Sequence, residues 1–504
     1  MSGYQPHYAG LGFEMKIAIV AAEISPWAKA GGLGDVIGAL PGALKTIGAE
    51  PILILPGYRS ILRQFKTTTI AEVADHHFGH GTESFSVLQA ETPAGIPMYL
   101  IGHDGFFDRE GIYGERGKAY FDNVMRYIFF GRAAAYVAAN YIHPDVLNAH
   151  DWHAATAAII MRADEQIDAK LRDTLSVFTI HNLAYQGVFD PVDYPLLGIN
   201  WMYYTVDGLE FFDHVNLMKG AIMMSDAVST VSPSYAEEAV SDPDFGFGLE
   251  GVLQAKGAYF RGILNGADYS EWNPATDKLI AANYTPGRLD GKSVCKGELL
   301  KEIRLPPREG APLIGMVSRM TSQKGFDLLR DAFDRIMLMD LQIVVLANGD
   351  AAFEGYFREA QRRYPDKFRM LDEFDNILAH KIQAGCDSFL MPSRFEPCGL
   401  TQMYAMKYGN PPVVRATGGL CDTVSEFDPR TGKGNGFVFE TYLTHDLLDG
   451  LNRMLSLFKK RELWRKLMAN CFAADFSWEK SARIYMDWFE KLHRERRAAA
   501  AQPS

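Results

Sequence analysis

The chain has 504 residues, 47% of them hydrophobic and 22% charged, and a formal charge of −11. That length exceeds one ordinary core and implies two or three domains of a globular protein. The acidic balance argues against nucleic acid or an anionic membrane as partner, and no apolar run reaches the roughly 18 residues of a membrane span. Five cysteines (Cys295, Cys386, Cys398, Cys421 and Cys471) lack metal-ligand spacing and read as reduced thiols of a cytoplasmic protein.

Residues 1–14 carry neither a basic n-region nor an apolar core, so they are read as an extension and not as a secretory signal. Lys16–Ala22, KIAIVAA, is a buried-strand candidate. It runs into a turn holding Lys29, Gly31, Gly32 and Asp35, then a helix to about Ile47 and a second strand at Pro51–Leu55. This βαβ opening matches neither the dinucleotide fingerprint nor the Walker spacing. Its glycine N–H groups and the Lys29 ammonium could nevertheless meet a phosphate. A β-rich insertion is expected over Thr67–Ile101 and a long helix over Tyr120–Tyr141. Strands at Asp145–Ala149, Ser176–Ile180 and Ala227–Val231 each end in a polar cluster: His150-Asp151-Trp152-His153, His181-Asn182 and Ser232-Pro233-Ser234-Tyr235. An open sheet would gather these along one edge. No histidine pair has compact metal-binding spacing on one helix, so no metal is expected. Trp152, Tyr185 and Trp201 suit either sugar faces or the core.

A second series begins after Gly262–Asn265. Strands are expected at Leu313–Ser318, Ile343–Ala347 and Phe368–Met370. Arg319 and Lys324 share the first strand-to-helix turn, where two cations could neutralise a pyrophosphate. Asp387–Phe427 then reads strand, turn, helix, strand, turn, helix. Its first turn holds Glu396, suited to hydroxyls, with Cys398, Gly399 and Leu400. Its second, Thr417-Gly418-Gly419, lacks acids and suits phosphate. Singly, each feature also reads as ordinary: a surface lysine, a plain loop, a tight helix–strand contact. Trp478–Ala500 has helical spacing and an apolar face.

Seven segments in order resemble bacterial glycogen synthases of the ADP-glucose-using type, kin of plant starch synthases: KAGGLGDV at Lys29, HDWH at His150, TIHNLAYQG at Thr179, ILNGADYSEWNP at Ile263, SRMTSQKG at Ser318, PSRFEPCGLTQMYAMKYG at Pro392 and TGGLCDTV at Thr417. The resemblance implies an α/β fold of two Rossmann-like doubly wound domains facing across a deep cleft, the GT-B architecture. Its implied boundaries are 15–260 for the acceptor-side domain, 261–477 for the donor domain, and 478–504 for a helix returning to the first. The implied reaction moves glucose from ADP-glucose to the non-reducing end of glycogen or a maltooligosaccharide, with retention, releasing ADP and needing no cofactor.

By motif, the resemblance assigns Glu396, Arg319, Lys324, His181 and Asp151 to catalysis, with Lys29, Arg319 and Lys324 on the donor phosphates. It assigns Gly31, Gly32, Asp35, Asn182, Asn265, Cys398, Gly399, Leu400, Thr417, Gly418 and Gly419 to substrate binding. Phe374 falls where similar synthases stack a tyrosine on adenine. Tyr404 replaces a second glutamate found in the broader glycosyltransferase class. A nucleotide-sugar epimerase would need no glucan acceptor. A non-catalytic glucan-binding protein would have no use for Lys29, Arg319, Lys324 and Glu396 together.

Overall fold

The computed structural model describes residues 14–115, 118–372 and 375–500, so the expected 1–14 extension, apart from Glu14, lies outside the described residues. The chain divides into two compact units. The first holds residues up to Ser229, Gly246–Arg261 and Glu479 onward; the second holds Thr230–Phe245 and Gly262–Trp478. This differs from the linear division expected from sequence at Thr230–Phe245, which clusters with the second unit. The reason is long-range bonding: Ser232 donates to the Pro397 carbonyl (2.6 Å) and Ser234 to Asp422 (2.9 Å).

The first unit is built on β1 (Lys16–Val20), β2 (Glu50–Pro56), β3 (Thr68–Phe78), β4 (Gly81–Glu91), β5 (Pro97–Gly102), β6 (Val146–His150), β7 (Leu175–Ile180), β8 (Ala227–Thr230) and β9 (Phe260–Gly262). They form one sheet in the order β9-β8-β7-β6-β1-β2-β5-β4-β3. β1 pairs in parallel with β2 and β6, and β6 with β7, whereas β3, β4 and β5 pair antiparallel. The central strands are mostly apolar and buried along nearly their whole length because both faces are covered. The order reverses between β1 and β6, and the chain leaves those two strands at Ala21–Glu23 and at His150-Asp151. That is where an open parallel sheet presents its ligand crevice. The helix expected over Tyr120–Tyr141 is α-helical over Asn123–Val137 and widens into a π-helical turn over Ala138–Ile142. The last helix, Trp478–Ala500, buries Tyr485, Trp488, Phe489 and Leu492. Its Arg496 donates to the Thr174 carbonyl (2.9 Å) and pairs with Asp226 (3.1 Å), both in the first unit.

The second unit carries β10 (Leu313–Val317), β11 (Gln342–Leu346), β12 (Phe368–Leu371), β13 (Ser388–Met391), β14 (Pro412–Arg415) and β15 (Phe437–Phe439). All pairings are parallel and the order is β12-β11-β10-β13-β14-β15. That is a doubly wound sheet whose switch point lies between β10 and β13. The turns leaving those two strands carry Arg319 and Glu396.

Below that edge, Trp272 is sandwiched between His380 (centroids 3.8 Å, 12°) and Tyr404 (4.4 Å, 8°). Tyr404 is therefore a buried packing residue. His380 Nδ1 lies 2.8 Å from Asp277, and its Nε2 lies 3.6 Å from Glu271. Burial works against the imidazolium, but the two carboxylates override it and lift His380 to about 9. A folded-state pKa raised above the unfolded value of about 6.5 adds stability at low pH that fades as pH climbs toward 9. Relative to His380→Gln, the wild type should lose on the order of 2–3 kcal/mol between about pH 6.5 and 9 in thermal melts. Parallel stability curves would remove the ion pair from the account.

Among the described residues, no helix is long and apolar enough to cross a membrane.

Candidate functional site

In the first unit the expected residues collect at the ends of β1, β6 and β7. α1 (Gly32–Thr46) starts directly after the Lys29–Gly31 turn. Lys29 Nζ lies 2.6 Å from Asp35 Oδ1, so the cation is neutralised within its own loop. The N–H of Gly31 was expected to be open to phosphate; it instead donates to Glu23 Oε2 at 2.8 Å, as does that of Ala30. Glu23 is 5% exposed and also accepts from the Tyr113 hydroxyl (2.8 Å). A buried carboxylate thus occupies the loop that sequence reasoning gave to an anion. It is the buried Glu23 carboxylate that would otherwise stand unpaired, which is the cost that decides this arrangement.

α2 (Asp151–Ala163) begins at Asp151, a non-glycine residue in the left-handed region at φ 57°. That conformation turns its carboxylate back to accept from the backbone N–H of His181 (2.7 Å). Burial pushes Asp151 up to about 7, against the backbone hydrogen bonds of His181 and Asn182, with Glu23 adding to the rise. Burial also pushes His181 down to about 3, so its ring is neutral at physiological pH. His150 Nδ1 sits 2.9 Å from His181 Nε2. The side-chain oxygen of Asn182, expected to meet substrate, accepts from Ala184 N (3.0 Å) and closes a local turn. Trp152 stands edge-on to Tyr127 (5.4 Å), whereas Tyr185 and Trp201 are exposed.

In the second unit the site is a contact between two strand-to-helix turns. Lys324 precedes α3 (Phe326–Leu338), whose N-cap Gly325 has φ 80°. A Cβ on Gly325 would lie 2.0 Å from the Pro392 carbonyl, so only glycine lets this turn lie against the end of β13. That approach brings Lys324 Nζ within 2.9 and 2.6 Å of the two Glu396 oxygens. Ser393 Oγ adds a third donor to Glu396 at 3.1 Å. Glu396 is 4% exposed, and burying a carboxylate at that depth requires such a partner. Arg319 is exposed and makes no ion pair among the described residues.

Cys398 is buried and its thiol is pushed up chiefly by burial, opposed by a hydrogen bond from the Asn265 backbone. Gly399 has φ 73°, and its carbonyl and that of Cys398 are both held by the Gln402 amide (2.8 and 3.1 Å). Gln402 lies on α4 (Thr401–Lys407), which follows Leu400. Asn265 is buried, and its side-chain oxygen has no hydrogen-bond partner among the described residues.

The Thr417-Gly418-Gly419 turn is not an open anion cradle. Gly418 N donates to Glu238 Oε1 (2.8 Å), Thr417 Oγ1 to Glu238 Oε2 (3.4 Å), and Gly419 N to the Glu396 carbonyl (3.0 Å). Burial raises the Glu238 carboxyl, with the Gly418 and Thr417 hydrogen bonds acting against it. Of three groups expected to meet substrate, Gly419 therefore braces the Glu396 loop, and Thr417 and Gly418 hold Glu238. Glu238 was missed because its partner lies 180 residues away. The one local signal was its helix, opened by Ser232 as N-cap and Pro233 at the first position. Phe374 lies outside the described residues, and among those described no cluster of three or more histidine, cysteine, aspartate or glutamate side chains could hold a metal.

Residues 16–255 match the starch synthase catalytic domain family, and residues 301–468 match the glycosyl transferases group 1 family. A glycogen synthase of Koribacter versatilis is 41% identical over 95% of this chain and 98% of its own. One from Pseudothermotoga lettingae is 39% identical over 96% of this chain and all of its own. The catalytic domain of starch synthase IV from Arabidopsis thaliana, solved with ADP and acarbose, superposes with a TM-score of 0.88 at 33% identity, covering 96% of this chain and 100% of that one.

Proposed function

The chain belongs to the glycogen and starch synthase family of GT-B glycosyltransferases, and from that premise we propose that it lengthens α-1,4-glucans with glucose from ADP-glucose, retaining anomeric configuration and releasing ADP. Support for ADP as the nucleotide is the likeness to a starch synthase solved with it.

The observation that carries the chemistry is the Lys324–Glu396 contact at the switch point of the second sheet. An ammonium has three donors, and the two Glu396 oxygens engage two of them. The third is left for a phosphate oxygen of the donor. Arg319, exposed and without an ion-pair partner among the described residues, supplies a second cation to the same diphosphate. Glu396 aims Lys324 and accepts from sugar hydroxyls; Asn265, Cys398, Gly399 and Leu400 shape its surroundings. Gly419 holds the Glu396 loop, while Thr417 and Gly418 hold Glu238. In the first unit, Asp151, His181 and Asn182 are assigned to the glucosyl and acceptor side, with Lys29, Gly31, Gly32 and Asp35 as a loop whose Lys29–Asp35 pair opens on binding.

The leaving diphosphate departs from the face that the acceptor hydroxyl approaches and takes its proton. Catalysis consists of holding the departing charge near an oxocarbenium-like carbon. The test is to incubate the protein with ADP-glucose or UDP-glucose and a maltooligosaccharide, following chain length, free nucleotide and the new anomeric signal. Longer chains with α linkages, made faster from ADP-glucose, are expected. Release of an isomerised sugar nucleotide without chain growth would favour an epimerase. Glu396→Gln should be slow and should trap no covalent sugar; a glycosylated chain by mass spectrometry would sink the same-face mechanism.

A further inference from the structure

We propose that His150 is a positioning residue that fixes the tautomer of His181, donating from its Nδ1–H to His181 Nε2 so that the single proton of the His181 ring sits on Nδ1.

The two rings meet at 2.9 Å, and His150 is wholly buried at the end of β6. It pairs in register with Thr179 on β7, two residues before His181. Burial pulls both imidazoles toward the neutral form, so one proton lies between them. It can lie there in two ways. Were His181 the donor, the proton of His150 would have to sit on Nε2. That nitrogen is buried and has no hydrogen-bond partner among the described residues. A buried N–H with nowhere to donate is the rarer and costlier fault. With His150 donating from Nδ1, its Nε2 is a bare lone pair, and no donor is orphaned.

The backbone of His181 is fixed by the next residue in the chain, since Asp151 accepts from its N–H at 2.7 Å. Consecutive residues therefore hold the ring and the main chain of the same histidine. A neutral His181 whose Nε2 already accepts has no lone pair left for a substrate proton. It can offer one donor, Nδ1–H, to a sugar oxygen, and it cannot serve as a general base. This agrees with a transfer in which the leaving diphosphate takes the acceptor proton, and its kinetic part rests on the function proposed above.

The test uses the full chain with 15N-labelled histidine, the His181 signals being those that vanish in His181→Gln. The expected spectrum shows His181 protonated at Nδ1 and bare at Nε2. A wild-type His181 protonated at Nε2 would overturn the proposal. His150→Asn places an amide donor near the lost Nδ1–H and should keep that signature and most of kcat. His150→Ala should lose the signature and lower kcat by roughly 10- to 100-fold, the usual size for removing an orienting partner. Equal kcat in His150→Asn and His150→Ala would also overturn it. Wild type that transfers no glucose would defeat the proposed function, while the tautomer would still be decided by the spectrum.

Discussion

Lys324→Ala is expected to lower kcat/KM by about 10²–10³, the typical loss on removing one preorganised electrostatic group from a developing negative charge. The same change strands Glu396, whose side chain is 6% exposed and, among the described residues, has only Ser393 left as a donor. Breaking a buried pair costs about 3–5 kcal/mol when both partners are fully enclosed. Lys324 is partly open, at 19% side-chain exposure, so a discounted loss of about 2–3 kcal/mol is expected in urea unfolding. The two effects separate in the double variant Lys324→Met/Glu396→Gln. It removes both charges, so stability should return while turnover stays low. Arginine should not rescue, because a planar fork cannot reproduce a compact ammonium between two carboxylate oxygens. Near wild-type turnover by Lys324→Ala would remove this lysine from the donor site.

Gly418→Ala should be nearly as damaging without removing a charged group. The residue has φ 44°, and a Cβ there would lie 2.1 Å from the Glu396 carbonyl oxygen. The methyl must push the Glu396 loop off Lys324 or force the backbone out of its conformation. Left-handed strain costs roughly 1–2 kcal/mol and overpacking about 1–3 kcal/mol, so a loss near 3 kcal/mol is expected. Turnover should fall at least tenfold because the displaced atom belongs to Glu396. Gly432→Ala is the control: its φ is 69°, but its new methyl meets only the flexible Lys466 side chain at 3.4 Å. It should show the strain alone, about 1 kcal/mol, and wild-type turnover. Equal activity losses in both variants would show that strain, not contact with Glu396, is responsible.

Much of this framework was legible in the chain. Strands announce themselves as apolar runs, and the polar residues that follow them mark the sheet edge. KIAIV and LIGMV were found within a residue or two of their ends. The placement of Glu396, Lys324, His181 and Asp151 was legible as well, since all four sit at such edges. What a turn's N–H groups bind was not legible. Gly31 and Gly418 lie in turns whose glycines read as open to phosphate, yet each donates to a glutamate. Glu23 is eight residues from Gly31 and Glu238 is 180 from Gly418, so neither spacing follows a helix or strand period. Tyr404 read as a lost carboxylate and is a buried ring stacked on Trp272. No local pattern foretells a stack between residues so far apart along the chain. Thr230–Phe245 was assigned by contiguity; its hydrogen bonds to Pro397, Gly418 and Asp422 are set by tertiary context.

The first unit takes its residues from three separate stretches, the last beginning at Glu479. During synthesis, its sheet must therefore wait, missing the buried Tyr485 and Phe489, until almost the whole polypeptide has left the ribosome. A nascent chain halted at residue 470 would expose that apolar face to chaperones even though every strand of both sheets had already been made.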